Sequence, residues 1–268
     1  MPGTGRAFEA ARRERRGALV AYLTSGFPDA RESDRLARAA CDAGADLLEL
    51  GVPFSDPVAD GPVIQRTTQI ALDQGATLAA VLRQAEALRS AHDTPLVLMS
   101  YLNPIHRYGV ARFAKEASAA GVDGVILVDL PPEEDPETWE AIAGAGLDTI
   151  LLATPTTVPE RLARIAARAR GFFYVVARLG PTGAGIADPA TAELLDRCRV
   201  LTALPRALGF GISLSSDLAP YRGRAEGIIV GSGLLEPLLG EPDAAARERT
   251  LRERVRAFRR KAEELGRE

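Results

Sequence analysis

Gly124-Val125-Ile126-Leu127-Val128-Asp129 is a short apolar run, rich in β-branched side chains and bounded by a glycine and an acid. A strand with one face in water alternates apolar and polar residues, and this run does not. It therefore reads as a strand buried on both faces, which is the signature of a parallel sheet covered by helices. Working outward, comparable runs centre on Val20, Leu47, Val97, Ile150, Tyr174, Leu208 and Ile229, which with Val125 makes eight. Helical patterns lie between them, for example from Arg31 to Ala43 and from Thr77 to Ala91. Gly44, Gly121, Gly146 and Gly171 stand where such helices should stop, because glycine tolerates the left-handed conformation that ends a helix. Alternation of this kind, with no linker or low-complexity stretch, predicts a (β/α)8 TIM barrel forming one domain over residues 1–268. An open doubly wound sheet is the alternative. The count of eight and the lack of a GxGxxG after the first strand argue against it. The arginine-rich start, with Ala7, Phe8 and Ala11 on one side, adds an N-terminal amphipathic helix.

Composition narrows the chemistry. Of 268 residues, 46% are hydrophobic and 26% charged, with a net charge of -3, as in ordinary soluble globular chains. Nothing in that balance calls for nucleic acid or a membrane surface. No apolar run approaches the roughly 20 residues that span a bilayer, and a cytoplasmic location is expected. Cys41 and Cys198 form no metal-ligand spacing and read as reduced, packed thiols. His92 and His106 are too sparse for a zinc centre or a Ser-His-Asp triad, so no metal site is expected. Catalysis in this barrel must rest on carboxylates, hydroxyls and backbone amides.

Barrel active sites lie where strands end and βα loops begin. After the second strand the chain reads Leu47-Leu-Glu-Leu-Gly-Val-Pro-Phe-Ser-Asp-Pro-Val-Ala-Asp-Gly-Pro62. Glu49 shares the period-two phase of Leu47, so if Leu47 points into the barrel Glu49 points toward its mouth. A carboxyl among leucines has its pKa raised by desolvation, which suits a general acid at neutral pH. A structural salt bridge at the barrel mouth is the other reading of Glu49. The loop beyond carries Asp56 and Asp60 between prolines and Gly61, as a lid bearing a carboxylate would. Either aspartate could equally form a turn or cap a helix, and spacing does not choose between them.

Strands six, seven and eight run into Ala177-Arg-Leu-Gly-Pro-Thr-Gly-Ala-Gly185, Gly209-Phe-Gly-Ile-Ser213 and Gly231-Ser-Gly233. Small residues in three successive loops let backbone amides approach a ligand, and this part of the fold is a recurrent phosphate site. Thr182 and Ser232 add hydroxyls. Residue chemistry alone thus reaches a lyase or isomerase acting on a phosphorylated substrate.

The segments Tyr22-Leu-Thr-Ser-Gly-Phe-Pro28, Glu49 to Gln65, Tyr101-Leu-Asn-Pro104, Asp129-Leu-Pro-Pro-Glu-Glu134, Gly209-Phe-Gly211 and Gly231-Ser232 occur in an order that resembles the tryptophan synthase α-subunit family. The likeness covers essentially the whole chain, and the Glu49 to Gln65 signature is highly specific. It implies a lyase of tryptophan biosynthesis that cleaves indole-3-glycerol phosphate by a retro-aldol reaction. It implies that Glu49 is the general acid/base, that Asp60 binds the indole N–H, and that Tyr174 stands near Glu49. Tyr22, Met99, Ile126 and Leu152 would line the indole pocket. Gly183, Phe210, Gly211, Gly231 and Ser232 would hold the phosphate, and Thr182 would anchor the closing loop on Asp60. The implied partner is a β subunit carrying pyridoxal phosphate in an α2β2 heterotetramer, with no cofactor in this chain. The loop at Asp56 and Pro57 and the segment Tyr101 to Pro104 would face that partner. A stand-alone lyase releasing free indole, and an idle barrel that only activates a β subunit, are the alternatives. The sixth loop departs from the family pattern: Pro181 precedes Thr182-Gly183 where a valine is usual, and Ala177 replaces a frequent serine. The stretch from Ala184 to Asp188 is also unlike the usual continuation.

Overall fold

The computed structural model describes residues 3–177, 188–209 and 211–266. Its strands are β1 (Ala18–Thr24), β2 (Leu47–Gly51), β3 (Leu96–Ser100), β4 (Gly124–Leu127), β5 (Asp148–Thr149), β6 (Leu151–Ala153), β7 (Phe173–Val176), β8 (Arg206–Gly209) and β9 (Gly227–Val230). All pair in parallel in the order β5-β4-β3-β2-β1-β9-β8-β7-β6. The fifth expected strand, centred on Ile150, is split at that residue. Its first piece pairs with β4 and its second with β7, so the ladder passes through Ile150 and closes the barrel. Each of the eight expected strand centres therefore lies on or between observed strand segments.

Local chemistry explains the helices around it. Asp29, Thr77, Asp135, Asp188 and Asp243 each accept a backbone N–H of the first turn they precede. The two helices expected over 31–43 and 77–91 are α2 (Ala30–Asp42) and α4 (Leu78–Arg89). Gly44, Gly121, Gly146 and Gly171 all have positive φ, as helix-stopping glycines require. Both cysteines are buried and unpaired.

The N-terminal helix α1 (Gly3–Arg13) covers the end of the barrel at which strands enter. Phe8 packs on Phe172 with ring centroids 5.2 Å apart, and Thr4 donates to the Asp148 carboxylate. The opposite end, where strands exit, remains for a site.

Register decides which side chains reach that end. Partners in a parallel ladder project to one face. Tyr22 pairs with Glu49, Gly51 with Met99, Met99 with Ile126, and Leu152 with Tyr174. Tyr174 also pairs with Ala207, Ala207 with Gly227, and Gly227 with Ala18, which is in phase with Tyr22, so all six expected pocket and catalytic positions on strands share one phase, and Leu47 shares it with Glu49. That phase is the interior, because Tyr174 feels the charge of Glu49 although β7 and β2 are not neighbours in the sheet. Only a path across the barrel connects them.

Candidate active site

Glu49 is 1% exposed, and its Oε2 has no hydrogen-bond partner. Burial, with a further push from the negative charge of Asp60, raises its carboxyl from 4.5 to about 8. Its protonated form is thus favoured at neutral pH, and its buried Oε2 is left without a partner. A structural salt bridge, the other reading of this residue, is not what the geometry contains: no cation pairs with Glu49 among the described residues.

Asp60 arrives by a different route. Residues 52–61 leave β2 held by Val52 N–H on the Met99 carbonyl at 2.8 Å, then turn through Val58 N–H on Asp56 O and Asp60 N–H on Pro57 O. α3 (Pro62–Asp73) follows, and its Gln65 amide donates to the Asp60 carbonyl at 2.8 Å. The base of α3 is tied to β1 through the Thr24 and Thr67 hydroxyls, 2.7 Å apart. Burial raises the Asp60 carboxyl from 3.8 to about 6, and a hydrogen bond from Tyr101 opposes that rise. Asp56, by contrast, is exposed and bonded to its neighbour Ser55. The two aspartates that spacing left equivalent are thus structurally distinct, and only Asp60 is close enough to Glu49 to act on its charge.

Two tyrosines complete the interior. Burial pushes the phenols of Tyr22 and Tyr174 upward, reinforced by the charges of Asp60 and Glu49. Each ring rests where a glycine leaves room: a Cβ on Gly51 would strike the Tyr22 hydroxyl, and a Cβ on Gly209 the Tyr174 hydroxyl. These glycines act by close approach rather than by special backbone angles. Met99 and Ile126 are buried and Leu152 is partly so, giving the mouth an apolar wall.

Gly231 and Ser232 stand at the junction of β9 with the short helix Ser232–Leu238, whose first turn has no side-chain cap. Leu234 N–H is bonded to the Gly231 carbonyl, so only the N–H groups ahead of it could serve a ligand. Gly211 is exposed with φ of 69°. Thr182, Gly183 and Phe210, together with Pro181 and the stretch 184–187, lie outside the described residues.

A cavity of about 800 Å³ lies at the other end of the barrel, between α1 and the loops that enter the strands, lined by Phe8, Arg12, Thr202, Leu204 and Leu265 among others. It holds neither Glu49 nor Asp60. The buried Glu49 and the half-buried Asp60, not this cavity, mark the candidate site.

From the sequence, Tyr101 is expected only on a partner-facing surface. In the structure it is buried, its hydroxyl accepts from Ala59 N at 2.9 Å, and it reaches Asp60 Oδ2 at 3.2 Å. The one signal available in the sequence was an aromatic residue at the exit of the third strand.

The sequence profile of the family described as tryptophan synthase alpha chain matches residues 8–265. The tryptophan synthase alpha chain of Desulfosudis oleivorans is 44% identical over 254 residues, covering 93% of this chain and 94% of its own length. That of Solibacter usitatus is 42% identical and covers 97% of this chain and 98% of its own. Among solved structures, a chain of tryptophan synthase from M. tuberculosis in its aminoacrylate-bound form superposes with a TM-score of 0.87 at 34% identity, covering 98% of this chain and 100% of its own. Tryptophan synthase subunit alpha from Legionella pneumophila superposes with a TM-score of 0.82 at 33% identity, covering 95% and 98%.

Proposed function

The chain belongs to the tryptophan synthase alpha chain family, and from that premise we propose how its own residues carry out the family's reaction. The reaction cleaves indole-3-glycerol phosphate to indole and glyceraldehyde 3-phosphate, a carbon-carbon lyase step of tryptophan biosynthesis. The chain needs no cofactor for it. Pyridoxal phosphate belongs to the β subunit with which this family associates.

Glu49, protonated on arrival, gives its proton to C3 of the indole ring. Positive charge then develops on the ring nitrogen, and the Asp60 carboxylate stabilises it by accepting the N–H. The Glu49 carboxylate so formed takes the proton of the adjacent glycerol hydroxyl. The bond from C3 to the glycerol carbon breaks, its electrons restore the aromatic ring, and Glu49 ends as it began. Tyr174 orients Glu49 from across the barrel. Tyr22, Met99, Ile126 and Leu152 enclose the indole. Gly211, Gly231 and Ser232 hold the phosphate through backbone N–H groups, together with Gly183 and Phe210, and Thr182 closes the sixth loop onto Asp60.

The observation that carries this reading is the pair of carboxylates in one apolar mouth with their protonation pushed apart, Glu49 toward 8 and Asp60 toward 6. We also read residues 1–268 as one barrel domain, the assembly as an α2β2 heterotetramer, and the chain as cytoplasmic. No helix among the described residues is long and apolar enough to cross a membrane. The test is indole release from indole-3-glycerol phosphate with the β subunit titrated in. Release should rise with the partner and vanish in Glu49→Gln, and unchanged turnover in that variant would remove Glu49 from the mechanism.

A further inference from the structure

We propose that Tyr101 is a positioning residue for Asp60, which fixes this carboxylate, in its charged form, toward the indole nitrogen. The inference rests on the role given to Asp60 above and adds a residue to it.

Geometry carries the case. Tyr101 stands at the exit of β3, where it precedes α5 (Leu102–Tyr108), so its backbone belongs to the barrel frame and not to the loop. The frame holds it firmly: Ser100 Oγ donates to its carbonyl at 2.8 Å, and the next residue, Leu102, donates its N–H to Asp129 Oδ1 at 2.8 Å. Its ring lies beside Phe54 with centroids 5.2 Å apart. Residues 54 and 59 both belong to the loop that carries Asp60, so one rigid side chain touches that loop at three points.

The hydrogen-bond directions are forced. A phenol has one proton and can accept elsewhere. Its oxygen accepts the Ala59 N–H at 2.9 Å, and a backbone N–H cannot do anything but donate. The phenolic proton is therefore free to point at Asp60 Oδ2, 3.2 Å away. The relay runs from Ala59 N–H through the Tyr101 hydroxyl to the carboxylate, and each bond polarises the next. A donor aimed at a carboxylate favours its charged form. That opposes the burial around Asp60, which favours the neutral acid. The other titratable groups in this field are Glu49 on β2, Tyr22 on β1, Tyr174 on β7 and Asp129 beyond β4, none of them a cation. Among the described groups acting on Asp60, Tyr101 is the donor that holds it anionic. Burial and the neighbouring acid push the Tyr101 phenol itself upward, so it remains a donor throughout the working range.

The test uses the complex with its β subunit and compares wild type, Tyr101→Phe, Asp60→Asn and the double variant. Tyr101→Phe keeps the ring against Phe54 and removes only the relay. The expected result is an upward shift of the acid limb of kcat/KM by about one pH unit, which is about a tenfold loss on the acid side and little loss on the alkaline side. A ¹³C-NMR titration of the Asp60 carboxyl should move by the same amount. Added to Asp60→Asn, the tyrosine change should alter residual turnover less than about twofold, because its target is gone. An acid limb that stays in place, or losses that multiply in the double variant, would overturn the positioning role while leaving Asp60 itself in the mechanism. Full turnover in Asp60→Asn alone would instead bring down the role of Asp60, and this inference with it.

Discussion

Replacing Glu49 by glutamine separates the cost of this site from its chemistry. Glutamine keeps the shape of the side chain and removes its titration. In the folded chain burial holds the carboxyl at about 8, whereas its ordinary value is 4.5. The folded state therefore binds this proton more tightly than the unfolded state does. Stability is greatest below the ordinary value, falls as pH rises through the interval, and levels off above the folded value. At about 1.4 kcal/mol for each unit, the interval amounts to about 5 kcal/mol once both limits are passed. Between about pH 5 and about pH 9, wild type should lose about 4 kcal/mol that the glutamine variant keeps. The amide brings its own penalty, about 1–3 kcal/mol for unpartnered buried donors, but that offset does not vary with pH. The difference between the two pH curves is therefore the quantity to read. Urea unfolding followed by far-UV circular dichroism and by the fluorescence of the single tryptophan, Trp139, measures it at several pH values. In the same preparation indole formation should fall by at least about 10²-fold, the usual worth of a general acid. Parallel stability curves would show that Glu49 ionises near its ordinary value. It would then be a carboxylate at neutral pH, and the proton donor would have to be sought elsewhere.

Three further outcomes test other parts of the site and frame. The pH profile of kcat/KM should be bell-shaped, rising through about 6 as Asp60 ionises and falling through about 8 as Glu49 loses its proton. Because the two carboxyls interact, these limbs belong to the pair, and a profile flat across both values would count against the assignment. Gly209→Ala puts a methyl group into the Tyr174 ring, so kcat/KM should drop roughly tenfold to a hundredfold with the fold intact by circular dichroism; wild-type kinetics would show that the ring position is immaterial. At the far end of the barrel, Asp46→Asn leaves the guanidinium of Arg16, whose side chain is 5% exposed, without its closest anion at 2.5 Å. The expected loss is about 3 kcal/mol in urea unfolding with kcat unchanged, and a loss under roughly 1 kcal/mol would mean that Glu14 and the Gly17 carbonyl suffice.

What could be read before any coordinates were known follows the range of the interactions concerned. The strands and helix ends rest on local rules: continuous apolar runs, acids that cap, glycines with positive φ. These placed Glu49 on an inward phase next to Leu47, and the register of β1 and β2 agrees. The break at Ile150 was not legible, because the run through it is as apolar as its neighbours and the interruption depends on pairing with β4 on one side and β7 on the other. The choice between Asp56 and Asp60 was likewise not local. It depends on the turn closed by Asp60 N–H on Pro57 and on a tyrosine far along the chain. Tyr101 is not legible as a site residue for the same reason: both of its hydroxyl bonds reach back to another βα loop.

The two carboxylates also differ in how they are held, and this bears on how the site works. Glu49 sits in a strand that is buried at every position, between β1 and β3, so its place is set by the barrel itself. A group that must give a proton to a ring carbon and then recover one from a neighbouring oxygen gains from such rigidity, since both transfers need short and directed approaches. Asp60 sits on a loop, and among the described residues the links at its end are the Tyr101 hydroxyl, the Gln65 amide and one turn. A group that only has to stay charged beside a developing cation needs no more than this mounting, in which the Tyr101 hydroxyl fixes its carboxylate. The two roles also explain why the pair is kept apart in protonation. Were Asp60 neutral it could not stabilise the charged ring, and were Glu49 ionised it could not create that charge. Burial favours the neutral form of both. The Tyr101 relay acts on one of them only, so the same apolar mouth holds one carboxyl as an acid and the other as an anion.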